Sequence, residues 1–194
     1  MSAGHEHGPG HGRGGPENKK IALLIAVLAL VLAFSETLGK GAQTGAMSHN
    51  IEASNLWAFF QAKTIRMTTL RTAAETAEAQ LTLLADPRIR EAMEQRIADW
   101  KRTAARYDSE PDTREGRKEL SERARVAETK RDRSLAAYHH FEVASAAVQI
   151  AIVLASAAII TGISALVWIA GGLVVVGVVF CGIASFAPTA VHLF

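Results

Sequence analysis

The sequence predicts an all-α membrane protein: three transmembrane helices, with a long coiled-coil-like helical hairpin between the first and the second. Two observations predict this. First, charge is segregated along the chain. No Asp, Glu, Lys or Arg occurs from Ile21 to Ser35 or from Val143 to Val191. Of the 21 Lys and Arg residues, all but Arg13, Lys19 and Lys20 lie between Lys40 and Glu142. A soluble fold alternates core and surface along its chain and does not separate charge in this way. Second, the charged region itself carries apolar residues at helical spacing, with no strand pattern and no convincing repeat.

Residues 1–18 are rich in Gly, Pro and His and hold little apolar surface to offset the entropy of ordering, so a disordered tail is expected. His5, His7 and His11 in this tail form a candidate metal site, since imidazole suits Cu, Ni and Zn. The competing reading is a solubilising tail, because a flexible segment has no pre-formed site.

The first span is placed at 19–38. A helix rises about 1.5 Å per residue and a hydrocarbon core is about 30 Å thick, so roughly 20 residues are needed. The rival reading is a cleaved signal peptide: Lys19-Lys20, a short apolar run, then Ala33-Phe34-Ser35. Against it stands an ordered face. Ala22, Ala26, Ala29 and Ala33 recur at 4-3-4 spacing, and small residues on one face let another helix approach closely. Glu36 continues that face. An ionisable group at the end of a span is a functional candidate; the competing reading is snorkelling, with Lys40 as an i+4 partner.

Residues 39–141 form the predicted hairpin domain. It opens on Gly39 to Gly45, where glycines would let the first helix bend. Leu56, Phe60, Lys63, Met67, Leu70, Ala74, Ala77, Leu81 and Leu84 then recur at 4-3 spacing, which is a coiled-coil or hairpin seam. Lys63 is the charged member of that seam; it fixes register or snorkels to the seam's edge. Asp86-Pro87 reads as an N-cap followed by proline at the first helical position. Ile89, Met93, Ile97, Trp100, Ala104 and Tyr107 mark the second helix, which Ser109-Glu110-Pro111 breaks. Leu120, Ala124, Ala127, Arg131, Ser134, Tyr138 and Phe141 mark a third, expected to run on into the second span. His139 and His140 suit interfacial anchoring, with a pH-sensing role as the rival.

The apolar run from Val143 is too long for one span. It divides near Thr161-Gly162-Ile163-Ser164 into spans at 142–162 and 165–187, leaving 188–194 as a C-terminal tail after Pro188 stops the last helix. Ala147, Ala151 and Ala155 give the second span its own small face, and Trp168 suits the membrane interface.

Charge and motifs exclude several function classes. The net charge is +2, with acids and bases interspersed, so no basic stripe serves nucleic acid. The single Cys181 excludes an intramolecular disulfide and a multi-cysteine zinc site. No nucleophile elbow, P-loop, dinucleotide-binding glycine pattern or His-Glu-x-x-His is present, so no enzyme, cofactor or small-molecule substrate is expected.

Ser54-Asn55-Leu56-Trp57-Ala58-Phe59-Phe60-Gln61-Ala62-Lys63-Thr64 resembles a signature block: Ser, two variable residues, Trp-Ala, two aromatics, Gln-Ala-Lys, then Ser or Thr. Val148-Gln149-Ile150-Ala151-Ile152 resembles a second, more generic block. Both belong to an uncharacterised bacterial membrane family, domain of unknown function 4337. The resemblance covers nearly the whole chain after the tail and implies the same layout of spans and hairpin. It carries no activity. It singles out Trp57, Gln61 and Lys63 as packing or interaction positions, to which the periodicity adds Phe60. Family members often carry basic residues between the last two spans, which implies a cytoplasmic turn; this chain has none there.

Orientation therefore rests on short-loop charge. Arg13, Lys19 and Lys20 place the N-terminus in the cytoplasm of a bacterium and the hairpin on the periplasmic side of its inner membrane. Lys130, Arg131 and Arg133 argue the other way. The leading expectation is a non-enzymatic protein that self-associates or docks on a membrane complex, with the lipid bilayer and a second copy or a membrane protein as partners. The alternative is a component of an oligomeric channel or transporter for protons or metal ions, motivated by Glu36 and the His-rich tail.

Overall fold

The computed structural model describes residues 16–191. They form four helices: α1 (Pro16–Leu81), α2 (Pro87–Asp108), α3 (Arg117–Thr161) and α4 (Ser164–Phe186). There is no strand among the described residues. The tail with His5, His7 and His11 lies outside them, although Pro16–Asn18 already belong to α1.

Three helices are long and apolar enough to cross a membrane: α1, α3 and α4, whose most apolar windows have mean hydropathies of 2.5, 2.3 and 2.6. The chain divides into two units. An apolar unit takes residues up to Ala42 and from Ala136 onward; a hairpin unit takes Gln43–Leu135. Helices α1 and α3 contribute to both.

The glycines from Gly39 to Gly45 do not interrupt α1, which is helical throughout. Gly39 serves a close approach, and Gly41 has open space beside it. A Cβ on Gly39 would lie 3.2 Å from the Phe141 Cβ, and one on Gly45 would lie 3.5 Å from the Ser134 Oγ. At Gly39 the neighbour would have to give by a few tenths of an ångström, whereas at Gly45 a methyl would make an ordinary contact.

In the hairpin unit α1 packs on α2 and on the first part of α3. Every member of the expected α1 seam from Leu56 to Leu81, Lys63 included, is buried or half-buried. Ala53, Leu56, Leu120, Ala124 and Ala127 form one cluster beside Trp57 and Phe60. Ala74, Ala77 and Ile97 form another beside Met93 and Trp100. Ile89, expected on the α2 seam, is exposed; it stands in the first turn, before the two helices close. Asp86 caps α2 as its sequence suggests, accepting from the Arg88 amide at 2.9 Å, with Pro87 opening the helix.

In the apolar unit α3 is central. Ala144, Ala147, Val148, Ala151, Ala155 and Ala158 are buried along it. Leu28 of α1 and Ala170 of α4 join this core. Gly162, with φ of +71°, turns the chain between α3 and α4 in a conformation that other residues rarely adopt.

The small face of the first span does not pack within the chain. Ala22, Ala26, Ala29 and Ala33 are all exposed. The inward face of α1 carries Leu24, Ile25, Leu28, Val31 and Leu32. Larger side chains reach into the gap beside α3 and remove more apolar area than an alanine methyl does. Small residues meet between α3 and α4: Ala170 clusters with Ala151 and Ala155, and a Cβ on Gly177 would lie 3.9 Å from the Ala147 Cβ.

Candidate functional site

The signature block is built into the hairpin unit by three adjacent turns of α1. Trp57 donates its indole N–H to Glu128 Oε1 of α3 at 2.9 Å. Phe60, one turn on, meets the Trp57 ring edge to face at 5.4 Å between centroids. Phe60 also lies under the Arg117 guanidinium at 5.0 Å. Trp57 and Phe60 thereby give the helix contact two large apolar anchors, each tied to a polar group of α3.

Lys63 follows on the same face and is only 6% exposed. Its ammonium stands 5.3 Å from the Phe59 ring centre and 5.1 Å from that of Tyr107. Glu110 and Glu115, in the connection between α2 and α3, each place a carboxylate oxygen 3.9 Å away. A cation in so little water needs compensating charge. The two carboxylates and two ring faces supply it. Lys63 thus ties α1 to the end of α2 and to the connection that follows.

Arg117 closes the same end. It donates from Nε to Thr64 Oγ1 at 2.9 Å and contacts Asp108 at 3.2 Å. Within the connection, Ser109 donates to Glu119 Oε1 at 2.6 Å, and the Glu110 amide donates to the other oxygen at 3.2 Å. The Ser109 hydrogen bond, more than any other cause, holds the Glu119 carboxyl below its ordinary value. Gln61, singled out beside Trp57 and Lys63, is exposed and stands outside the seam. It lies two residues from Lys63, about 200° around the helix.

The apolar unit holds a different polar cluster. Ser35 is buried on α1 and donates to the Phe141 carbonyl at 3.2 Å. It accepts from the Ser145 hydroxyl at 3.0 Å and from the Cys181 thiol at 3.6 Å. His140 is 1% exposed, so it is a buried group rather than an interfacial anchor. Its Nε2 lies 3.0 Å from the Pro188 carbonyl, and its Nδ1 has no partner. On the surface of this unit Glu36 accepts from Gln149 Nε2 at 3.2 Å, across α1 and α3. Trp168 is 83% exposed. Among the described residues no group of three or more His, Cys, Asp or Glu could hold a metal ion.

Sequence reasoning found Trp57, Phe60 and Lys63 and missed their partners. Glu128, Glu110, Glu115 and Arg117 stand at positions indistinguishable from solvated charge. The Ala170, Gly177 and Ala184 face was readable as a seven-residue spacing of small residues. Ser35 carried no signal, since a lone serine in an apolar run is ordinary.

One protein-family model matches residues 17–187, under the description domain of unknown function (DUF4337). The chain belongs to this family. No curated protein and no solved structure matches it. In this DUF4337 chain Trp57, Phe60 and Lys63 of the signature block join helices.

Proposed function

We propose that this DUF4337 chain is a non-enzymatic integral membrane protein with a structural or interaction role, which self-associates or docks on a larger membrane complex. The observation that carries this reading is the disposition of the signature block. Its Trp, second Phe and Lys reach Glu128, Arg117, Glu110, Glu115 and Tyr107. These are contacts that hold one helix against two others.

The segregation of charge and the three apolar helices support insertion in a bilayer. Lys19 and Lys20, with Arg13, support a cytoplasmic N-terminus, a periplasmic hairpin and residence in the bacterial inner membrane. Labelling of cysteines placed at exposed hairpin positions, in intact cells, tests that orientation; protection of all of them from an impermeant reagent reverses it. Neither a nucleic acid nor a small molecule is proposed as a partner.

Native mass spectrometry on protein extracted gently from its own membrane tests the role. The reading expects an assembly of several copies, or a fixed ratio to another membrane protein. A single chain with no companion contradicts it.

A further inference from the structure

Three helices of the apolar unit meet where the chain turns from α3 to α4. A cavity of about 370 Å³ opens there, with Ile21, Ala158 and Val167 from α1, α3 and α4 as apolar walls. Ala158 is buried and the other two are half-buried. Lys20, Gly162 and Trp168 also line it, and all three are exposed. Neither Lys20 nor Trp168 has a hydrogen-bond or ion-pair partner among the described residues. Among those residues no carboxylate lines the cavity. The sequence has no Asp or Glu from Asn18 to Ser35 or from Val143 onward. Lys20 is the last charge before the apolar run of α1, and α4 starts at the cavity's edge. Beyond it Ile169, Val175 and Val176 of α4 are exposed. The cavity therefore pairs one free cation with apolar walls, at the rim of a larger apolar surface.

We infer that this cavity binds the headgroup of an anionic phospholipid, its phosphate on the Lys20 ammonium and the Trp168 indole N–H, and an acyl chain along the exposed apolar side of α4. The inference goes beyond the proposed interaction role and rests on its bilayer insertion alone. Charge selects the occupant first. An unpaired ammonium with no acid in the lining favours an anion, and a phosphate oxygen accepts from both an ammonium and an indole N–H. Depth selects it second. A Lys and an exposed Trp at the edge of apolar spans stand at the level of lipid headgroups, and basic pockets between membrane helices take anionic headgroups. The walls of Ile21, Ala158 and Val167 suit the glycerol and the first acyl carbons, which a free anion in water lacks. Lys19 is exposed too but does not line the cavity. It stands one residue back, about 100° around α1, and so separates a built site from diffuse surface charge.

The test titrates the full chain, in a mild non-ionic detergent, with dioleoylphosphatidylglycerol or dioleoylphosphatidylcholine, and reads lipid adducts by native mass spectrometry. The parent is expected to hold the anionic lipid about tenfold more strongly than the zwitterionic one, the effect of one charge-assisted hydrogen bond. Lys20→Gln is expected to abolish that preference, Lys20→Arg to keep it and Lys19→Gln to leave it nearly unchanged. Trp168→Ala is expected to weaken binding of the anionic lipid. Lys20 and Trp168 are exposed, so these variants keep the fold. Equal losses in Lys19→Gln and Lys20→Gln would reduce the effect to surface charge and overturn the site. Displacement of the anionic lipid by millimolar inorganic phosphate would make the ligand a free phosphate and overturn the lipid. Binding of both lipids alike by the parent would overturn the site and leave bilayer insertion standing. A chain that binds neither lipid and stays dissolved without detergent would overturn both.

Discussion

The two units bury polar groups of different kinds. In the hairpin unit the buried polar side chain is charged: Lys63, between Glu110 and Glu115, with half-buried Arg117 nearby against Asp108 and Thr64. In the apolar unit such groups are neutral or small: Ser35, Ser145, the Cys181 thiol and the His140 ring, each spent on a carbonyl or another hydroxyl. Water at the edge of the hairpin lowers the cost of a charge, and long side chains span the distance between helices. Apolar surroundings make a charge costly, so short hydroxyls next to backbone carbonyls do the same job. The packing differs as well. Helices in the apolar unit meet through aliphatic side chains and alanine, with no aromatic in the core cluster, whereas the hairpin unit packs Trp57 and Phe60 against its own.

The largest effect expected from breaking this contrast is at Lys63. Lys63→Glu sets a third carboxylate beside Glu110 and Glu115, and should cost about 3–5 kcal/mol, the range found when one partner of a buried pair is removed. Lys63→Met keeps the stem and removes the charge, and should cost clearly less. Urea unfolding followed by far-UV circular dichroism measures both. An equal loss in the two variants would mean that a carboxylate at this place meets no penalty from Glu110 and Glu115.

In the apolar unit the corresponding change is steric. A Cβ on Gly177 would lie 2.9 Å from Val148 Cγ2 and 3.3 Å from the Ala144 carbonyl. Gly177→Ala should therefore destabilise by about 1–3 kcal/mol, the usual cost of overpacking. Gly172→Ala, with nothing within 4 Å, should be neutral or mildly stabilising, since it adds helix propensity without a clash. Thermal unfolding in detergent micelles should separate the pair of variants; identical midpoints would show that α3 and α4 do not approach this closely.

Trp57→Phe keeps the ring contact with Phe60 and removes the bond to Glu128. A cost of about 1 kcal/mol is expected, typical of one half-buried hydrogen bond. In a Glu128→Gln background the same change should cost less, because no carboxylate is left without its donor.

The smallest effect is on pH dependence. Glu119 is held below its ordinary value in the folded chain, first by the Ser109 hydrogen bond. A depressed carboxyl stabilises the fold fully above the unfolded value, about pH 4.3, and loses that contribution as pH falls through the folded one. Ser109→Ala should flatten the stability curve below that pH and leave its shape above pH 6 unchanged. A variant whose acid limb matches the parent's would remove Ser109 as the cause.

The sequence made the helices legible because charge segregation and 3.6-residue periodicity are local. The α1 seam, the Asp86 cap and the Gly162 turn all follow from neighbours within a few residues. Which face of α1 turns inward near Leu28 did not follow, since both the alanine face and the leucine face were plausible partners for α3. The same limit hid His140: nothing within its own turn marks it as buried, and its partner Pro188 lies 48 residues on. Lys63 stood out as a charge in a seam, yet its carboxylates are set by how the connection between α2 and α3 folds back.

Trp57, Phe60 and Lys63 hold helices together, and the proposed role is assembly. Native mass spectrometry of Lys63→Met along a temperature ramp reads assembly and stability in one experiment. The account predicts the same assembly as the parent at low temperature, dissociating at a shifted temperature as the hairpin loosens. An assembly already lost at low temperature, in a chain that unfolds no earlier than the parent, would contradict it and make Lys63 a contact residue in its own right.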